Sequence, residues 1–152
     1  MRTCWVLDHP AHVRLLAPFV RSGSTSDVLI ATDRKEVHQL LDASEGVLPK
    51  RQHLWVQRPI GSKRVRIAWK RMRSVRSFLK KAQRSGGPIE RIVCIGSSLE
   101  LRAAKRLRIA KRWYISDTEV NHLAHRLAIG AATDVLIPVS YTHLRAHETK
   151  AN

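Results

Sequence analysis

Residues 3–12 read TCWVLDHPAH, and this stretch decides the fold. The apolar run Thr3–Leu7 stops at a polar turn that contains Pro10, and a helical pattern of apolar residues begins at once. A buried strand that delivers a loop to a helix N-terminus is the repeating unit of open α/β sheets. Ligands of such sheets bind outside the carboxyl ends of the strands. The loop after the first strand is therefore the first candidate site.

The rest of the chain repeats this order of strand and helix. Further strands are predicted at Asp27–Ala31, His53–Val56, Arg91–Ile95, Arg112–Ile115 and Asp134–Ile137, and further helices at Arg34–Asp42, Lys63–Arg84, Ser97–Leu107 and Thr118–Ile129. Alternation of this kind produces right-handed crossovers and a parallel sheet covered on both faces. The sequence predicts one doubly wound, Rossmann-like α/β domain over residues 1–138. In the long helix, helical spacing predicts that Trp69, Met72 and Leu79 share a core face.

Residues 139–152 look foreign to this domain. Val139–Thr149 reads VSYTHLRAHET and resembles the in-frame translation of a widely used transposase-end sequencing adapter. Such a tail is excluded from fold reasoning. Removing it lowers Lys plus Arg from 28 to 26, Asp plus Glu from 12 to 11, and the net charge from +16 to +15. We expect the natural protein to continue differently after Pro138, so that this chain is a truncated piece of a longer parent.

Cysteine usage and hydropathy predict the compartment. Cys4 and Cys94 both fall in predicted strands, where a free cysteine behaves as a small buried hydrophobe. Two such residues form no disulfide framework, which suits a reducing cytosol. No apolar stretch reaches the length of a membrane span. The sequence predicts a cytoplasmic protein, with peripheral membrane contact left open.

The first loop carries the candidate catalytic residues. Asp8 stands where many Rossmann folds place a glycine-rich phosphate loop, and a carboxylate there repels phosphate. The loop suits a hydroxyl-bearing substrate better, with His12 as general base and Asp8 orienting it, because a neutral imidazole accepts a proton near pH 7. The alternative is structural: Asp8 caps the helix, Pro10 occupies its first turn, and the histidines are bystanders.

Two later strand ends supply candidate substrate-binding residues. Ser97 and Glu100 match a capping box, although glycine and small hydroxyls at a strand end also let a ligand approach backbone N–H groups. The acidic segment 117–119 either favours a helix start through the helix dipole or binds sugar hydroxyls. The substrate-binding candidates are His9, Gly96, Ser97, Asp117, Thr118 and Glu119. No metal site is expected, because the pairs His9/His12 and His122/His125 lack further ligands at familiar spacing.

The positive charge concentrates in two segments. Arg58–Arg84 contains eleven Lys or Arg and no Asp or Glu, and Arg102–Arg112 adds six more. The simplest interpretations are a solvated helix face or an imbalance created by truncation of an acidic domain. The functional ones are an anionic membrane surface, contacted through the amphipathic basic helix, or nucleic acid. No nucleic-acid motif accompanies the charge, so the membrane surface is the preferred functional interpretation and nucleic acid is not expected.

Three segments together resemble domain-of-unknown-function family 354, whose members look like GT-B glycosyltransferases and nucleotide-sugar 2-epimerases. The first is LDHPAHV at 7–13, the second is ATDRKEV at 31–37 with LLD at 40–42, and the third is DTE at 117–119 with ATDVLIP at 132–138. Their order and spacing match across nearly all of residues 1–138. The sequence departs from the family at Gly96-Ser97-Ser98, where a Gly-His-Gly-Ser-like turn is expected, and at Ser116, where a second acidic residue is usual.

The resemblance implies the N-terminal half of a two-domain GT-B protein. In that architecture the C-terminal half usually grips the nucleotide-sugar, and the N-terminal half presents acceptor or catalytic groups. The implied substrate is a sugar or a lipid-linked sugar. We expect no cofactor in this fragment, a nucleotide-sugar donor for the parent with its missing C-terminal domain, and no activity from the fragment alone. The alternative is a non-enzymatic basic α/β module that binds an anionic membrane surface or nucleic acid.

Overall fold

The computed structural model describes residues 1–43, 51–116 and 122–137. Strands and helices alternate along them: β1 Thr3–Leu7, α1 Pro10–Ser22, β2 Val28–Thr32, α2 Lys35–Asp42, β3 His53–Val56, α3 Arg64–Gly86, β4 Arg91–Ile95, α4 Leu99–Arg106, β5 Lys111–Ile115, α5 His122–Ile129 and β6 Asp134–Leu136. The six strands form one parallel sheet in the order β3-β2-β1-β4-β5-β6. The predicted doubly wound, Rossmann-like sheet is confirmed.

Strand β1 lies between the two halves of the sheet. It pairs with β2 on one side and with β4 on the other. From β1 the chain adds β2 and then β3 on one side, and α3 then crosses over the sheet to β4 on the other side of β1. Because right-handed crossovers in opposite directions lie on opposite faces, α1 and α2 cover one face and α3, α4 and α5 cover the other. The order of strands therefore reverses between β1 and β4, which is the switch point where open α/β sheets bind ligands.

The core follows the alternation of side chains along each strand. In β1, Cys4 and Val6 pack towards the α3–α5 layer, whereas Trp5 and Leu7 pack towards the α1–α2 layer. Cys94 is also fully buried, so both cysteines occupy the interior as predicted. Burial on both faces explains why these strands read as unbroken apolar runs.

Helix α3 corrects one sequence prediction. Leu79 is fully buried and Met72 is partly buried, but Trp69 is 57% exposed, so the prediction that Trp69 packs in the core is wrong. The position that faces the sheet near this end of the helix is occupied by Arg71, which is 4% exposed. Trp69 precedes Arg71 by two residues, which places the two side chains about 200° apart around the helix. Burying Arg71 therefore turns Trp69 to solvent.

The capping box predicted at α4 is also wrong. The N-cap residue is Ser98, and its side chain makes no capping hydrogen bond. The Ser97 hydroxyl donates to Glu100 Oε2, and Glu100 Oε1 accepts the Arg71 Nε–H, so the carboxylate binds side chains rather than a backbone N–H at the helix start. The Arg71 guanidinium, 29 positions away in the sequence, therefore binds Glu100 in place of a backbone N–H at the start of α4.

The residues of the C-terminal tail, 139–152, lie outside the described residues, as does Pro138. Among the helices that the structure describes, none combines the length and the apolar character that crossing a membrane requires.

Candidate functional site

A cleft of about 390 Å³ opens at the carboxyl edge of the sheet, on the side of the α3–α5 layer. Its walls come from the loops after β1, β3 and β4 and from α3, α5 and the first residue of α4. The lining residues are Asp8, Arg58, Pro59, Arg64, Val65, Ala68, Arg71, Gly96, Ser97, Ser98, Leu99, Leu123 and Leu127. The cleft lies at the switch point between β1 and β4, where the sequence placed its first candidate site.

Asp8 reaches the cleft because it continues the alternation of β1. Cys4 and Val6 pack towards the α3–α5 layer, and Asp8 is the next residue in that series. Its Oδ1 atom accepts a hydrogen bond from Arg71 Nη2 at 2.9 Å and another from the Thr32 hydroxyl at the end of β2. The Asp8 side chain remains 23% exposed, so a ligand in the cleft can reach it.

The charge state of Asp8 is set by these partners. Burial raises the pKa of Asp8, but the Arg71 guanidinium and the Thr32 hydroxyl outweigh it, with His12 adding to them, and the pKa lies below its ordinary value. Asp8 is therefore ionised near neutral pH. It offers the cleft a hydrogen-bond acceptor rather than a proton.

Arg71 joins three parts of the site. Its Nε donates to Glu100 Oε1 at 2.6 Å, Nη2 donates to Asp8, and Nη1 donates to the Gln57 carbonyl at 3.4 Å. Burial lowers the pKa of a guanidinium, but Glu100 and Asp8 outweigh it and raise the pKa of Arg71 above its ordinary value. The guanidinium is permanently charged and lies between the carboxyl groups of Asp8 and Glu100.

Gly96 shapes the turn between β4 and α4. Its φ of +62° lies in the left-handed region, which a side chain strains and glycine adopts freely. Its N–H donates to the Ile115 carbonyl at 3.0 Å, which fixes the turn to the end of β5. The turn brings Ser97 and Ser98 to the cleft wall, so two predicted substrate-binding residues, Gly96 and Ser97, share the cleft with Asp8.

The two N-terminal histidines lie elsewhere. His9 is the N-cap of α1, where its Nδ1 accepts the Ala11 N–H at 3.3 Å, so the alternative in which Asp8 caps this helix is wrong. His12 is only 8% exposed, and its ring centroid is 5.7 Å from that of His9. Neither histidine is among the lining residues of the cleft. Catalysis by His12 and substrate binding by His9 stay predictions.

The remaining candidates, Asp117, Thr118 and Glu119, lie outside the described residues. Within residues 1–43, 51–116 and 122–137, no three His, Cys, Asp or Glu side chains come together in a way that could hold a metal ion.

Sequence reasoning missed Arg71 and Thr32. Arg71 lies inside a basic run, and such runs usually form a solvated face. One signal was present: Arg71 stands four residues after Ile67 and four before Val75, so it interrupts an apolar stripe at helical spacing. A cation that faces the core is stable only with carboxylate partners, and Asp8 and Glu100 are the partners of Arg71.

No protein-family model matches the chain, and no curated protein matches it. The resemblance to family 354 therefore rests on the three sequence segments alone.

Proposed function

We propose that this chain is the N-terminal, Rossmann-like domain of a GT-B-like sugar enzyme, glycosyltransferase-like or nucleotide-sugar epimerase-like, and that the cleft between β1 and β4 holds the sugar. The observation that carries the proposal is the ionised Asp8 carboxylate at the switch point of the sheet. The same loop carries no glycine that would bring backbone N–H groups onto a phosphate.

The hydrogen bonds of Asp8 define what it offers a ligand. Arg71 and Thr32 both donate to Oδ1, and in this proposal Oδ2 accepts a hydrogen bond from a hydroxyl of the bound sugar. A carboxylate acceptor forms a charge-assisted hydrogen bond, which is about twice as strong as a neutral one. Arg71 and Thr32 hold the carboxylate in one orientation before the ligand arrives, so little freedom is lost on binding.

The rim of the cleft supplies the opposite charge. Arg58 and Arg64 are exposed and line the cleft together with Asp8. They suit the phosphate of a nucleotide-sugar or of a lipid-linked sugar, while Asp8 and Ser97 bind the hydroxyls. We expect the main donor-binding surface of a GT-B architecture to come from its C-terminal half, and we expect no turnover from this chain alone.

The sequence-based prediction that His12 is a general base is tested separately from the cleft, because His12 does not line it. Substituting His12 by Ala in the complete protein is expected to abolish turnover. Unchanged turnover would remove His12 from the mechanism and leave Asp8 as the principal functional residue of this domain.

Saturation-transfer NMR on the chain tests the sugar site, with a panel of monosaccharides and nucleotide-sugars as ligands. Asp8→Asn keeps the shape of the side chain and removes its charge. Asp33→Asn is the matched control, because Asp33 follows β2 at the same edge of the sheet but does not line the cleft. Loss of a charged hydrogen bond of about 1.5–3 kcal/mol weakens binding roughly ten- to a hundredfold.

The proposal expects sugar binding by the unaltered chain and by Asp33→Asn, and its loss in Asp8→Asn, with circular dichroism confirming that both variants fold. Equal binding by the two variants, or no binding of any sugar, would contradict it.

A non-enzymatic basic module is the competing function, favoured by the net charge of +16. It predicts no sugar binding at all, together with association with an anionic surface that weakens steeply as salt is added.

A further inference from the structure

The outer face of the α3–α5 layer is uniformly cationic among the described residues. Twelve Lys or Arg side chains are exposed on its three helices: Arg64, Arg66, Lys70, Arg73, Arg76, Lys80, Lys81, Arg84, Arg102, Lys105, Arg106 and Arg126. The single acidic residue of these helices, Glu100, is fully buried and paired with Arg71. An exposed face with this composition is complementary in charge to an anionic partner.

The opposite layer shows that the charge is not spread evenly over the protein. Helices α1 and α2 expose three cations and two carboxylates: Arg14, Arg21, Lys35, Glu36 and Asp42. The sheet therefore separates a nearly neutral face from a strongly basic one.

Exposed apolar side chains lie among the cations near the cleft. Val65 and Trp69 stand four residues apart on α3 and are 76% and 57% exposed, and Ile60 just before the helix is 64% exposed. Leu123 on α5 is 69% exposed and lines the cleft together with Val65. The Arg73 guanidinium lies 5.4 Å from the centre of the Trp69 ring. Cations mixed with Trp and aliphatic residues are typical of helices that lie in a membrane interface.

We infer that the outer face of the α3–α5 layer docks on a lipid bilayer bearing anionic headgroups. The cations of α3 contact the headgroups, while Val65 and Trp69 enter the interface beside the mouth of the cleft. Helix α3 has 23 residues and is about 34 Å long, so many of its cations meet a flat surface at once. The inference goes beyond the sugar site, because it stands on a different surface and does not require that the cleft bind a sugar.

The apolar residues favour a bilayer over nucleic acid. Phosphate backbones are bound by cations and hydrogen-bond donors, and aliphatic side chains such as Ile60 and Val65 add nothing to that contact. A bilayer interface takes up aliphatic and Trp side chains favourably at the same depth at which its headgroups meet the cations. Duplex DNA is therefore a control ligand in the test.

Co-sedimentation of the 152-residue chain with vesicles tests the inference. The chain is expected to bind phosphatidylcholine vesicles that contain a third of phosphatidylglycerol, to ignore pure phosphatidylcholine vesicles, and to be released by salt. Replacing Arg66, Lys70 and Arg73 by Gln is expected to weaken binding roughly a hundredfold, since each cation near an anionic leaflet contributes about 1 kcal/mol. The same change at Arg14, Arg21 and Lys35 on the opposite layer is the control.

A second pair of variants measures the apolar contribution to vesicle binding separately from the contribution of the charge. Val65→Ser with Trp69→Ser removes the apolar contact without changing the charge, and is expected to weaken binding roughly tenfold or more. Leu15→Ser with Phe19→Ser is the matched control on α1, where the spacing is the same and the residues are 56% and 57% exposed.

Three results would overturn the inference. The first is equal binding of both vesicle types, and the second is an equal loss in the variants and their matched controls. The third is duplex DNA binding tighter than vesicle binding and indifferent to the Val65 and Trp69 substitutions, which would identify the face as a nucleic-acid surface.

Discussion

The two helical layers of this sheet are built from the same strand–helix unit but bury different chemistry. Helices α1 and α2 pack mainly apolar side chains against the sheet, with His12 as the one buried exception. The α3–α5 layer instead buries the ions Arg71 and Glu100 between its helices and the strands. Taking charges out of water is unfavourable unless each finds a partner, so the α3–α5 layer carries the cost of a buried ion pair. On the α1–α2 side the buried carboxyl group of Asp27 instead accepts hydrogen bonds from the Thr3 N–H and the Trp5 indole.

The two layers also differ in what they present to a ligand or partner. The layer that buries the ionic cluster also walls the cleft and carries the basic surface. The α1–α2 layer has a conventional apolar interface and a nearly balanced surface charge. We interpret the α1–α2 layer as scaffold and the α3–α5 layer as the part shaped by ligand and partner.

The largest expected effect is at the centre of the ionic cluster. Arg71→Met leaves Glu100 buried without a cation and is expected to lower the free energy of unfolding by about 3–5 kcal/mol. Arg76→Met, on the exposed face of the same helix, is expected to change it by less than about 0.5 kcal/mol. Urea denaturation measures both, and Arg71→Lys extends the series if Arg71→Met does not fold. Equal losses for Arg71 and Arg76 would show that the cluster is not the distinguishing feature of this layer.

The second effect tests which side of α3 packs in the core. Leu79→Ala removes a fully buried side chain and is expected to cost about 2–5 kcal/mol, as is Leu16→Ala in the opposite layer. Trp69→Ala is expected to stay within about 0.5 kcal/mol, because this residue is largely exposed. Chemical denaturation of the three variants is the measurement. A loss for Trp69→Ala as large as that for Leu79→Ala would restore the core assignment of Trp69.

The third effect is the pH dependence that Asp8 gives to the free energy of unfolding. Because the pKa of Asp8 is lower in the folded protein than in the unfolded chain, its stabilisation is complete above a pH of about 4 and is lost as the pH falls through the folded value. Asp8→Asn is expected to lower the free energy of unfolding by about 1.5–3 kcal/mol at pH 7, and by progressively less as the pH is lowered below about 4. Denaturation curves at several pH values test this. A loss that does not change with pH would assign the effect to shape rather than charge.

The smallest effect concerns the turn that lines the cleft. Gly96→Ala places a Cβ at a φ of +62° and is expected to cost about 1 kcal/mol. In the same layer, Gly130→Ala meets its nearest atom at 3.5 Å, an ordinary contact, and is expected to be neutral or slightly stabilising. Thermal unfolding of the two variants compares them directly. A stabilising Gly96→Ala would remove the argument that this turn requires glycine.

Local patterns predicted the fold well because its signals are local. The runs Thr3–Leu7 and Arg91–Ile95 are nearly unbroken apolar segments bounded by polar turns, and both appear as strands with those bounds. The order of strands and helices then limits the topology to a doubly wound sheet. The position of the candidate cleft followed from the same reasoning.

The details of the site escaped prediction because they depend on contacts between distant residues. Arg71 and Glu100 are 29 positions apart, and Arg71 and Asp8 are 63 apart, so no local pattern pairs them. Glu100 matched a capping box, but a nearby guanidinium is a stronger donor than a helix N-terminus. His9 rather than Asp8 caps α1, and Asp8 is instead bound by Arg71 and Thr32.

The sugar site is tested most directly by amide chemical-shift mapping of the chain by heteronuclear NMR, with the sugars of the panel added in turn. We expect the shifted amides to belong to the turn Gly96–Leu99 and to Asp8, with the outer residues of α1 and α2 unchanged. Shifts confined to the α1–α2 layer, or no shifts with any sugar, would contradict the assignment of the sugar site to the cleft between β1 and β4.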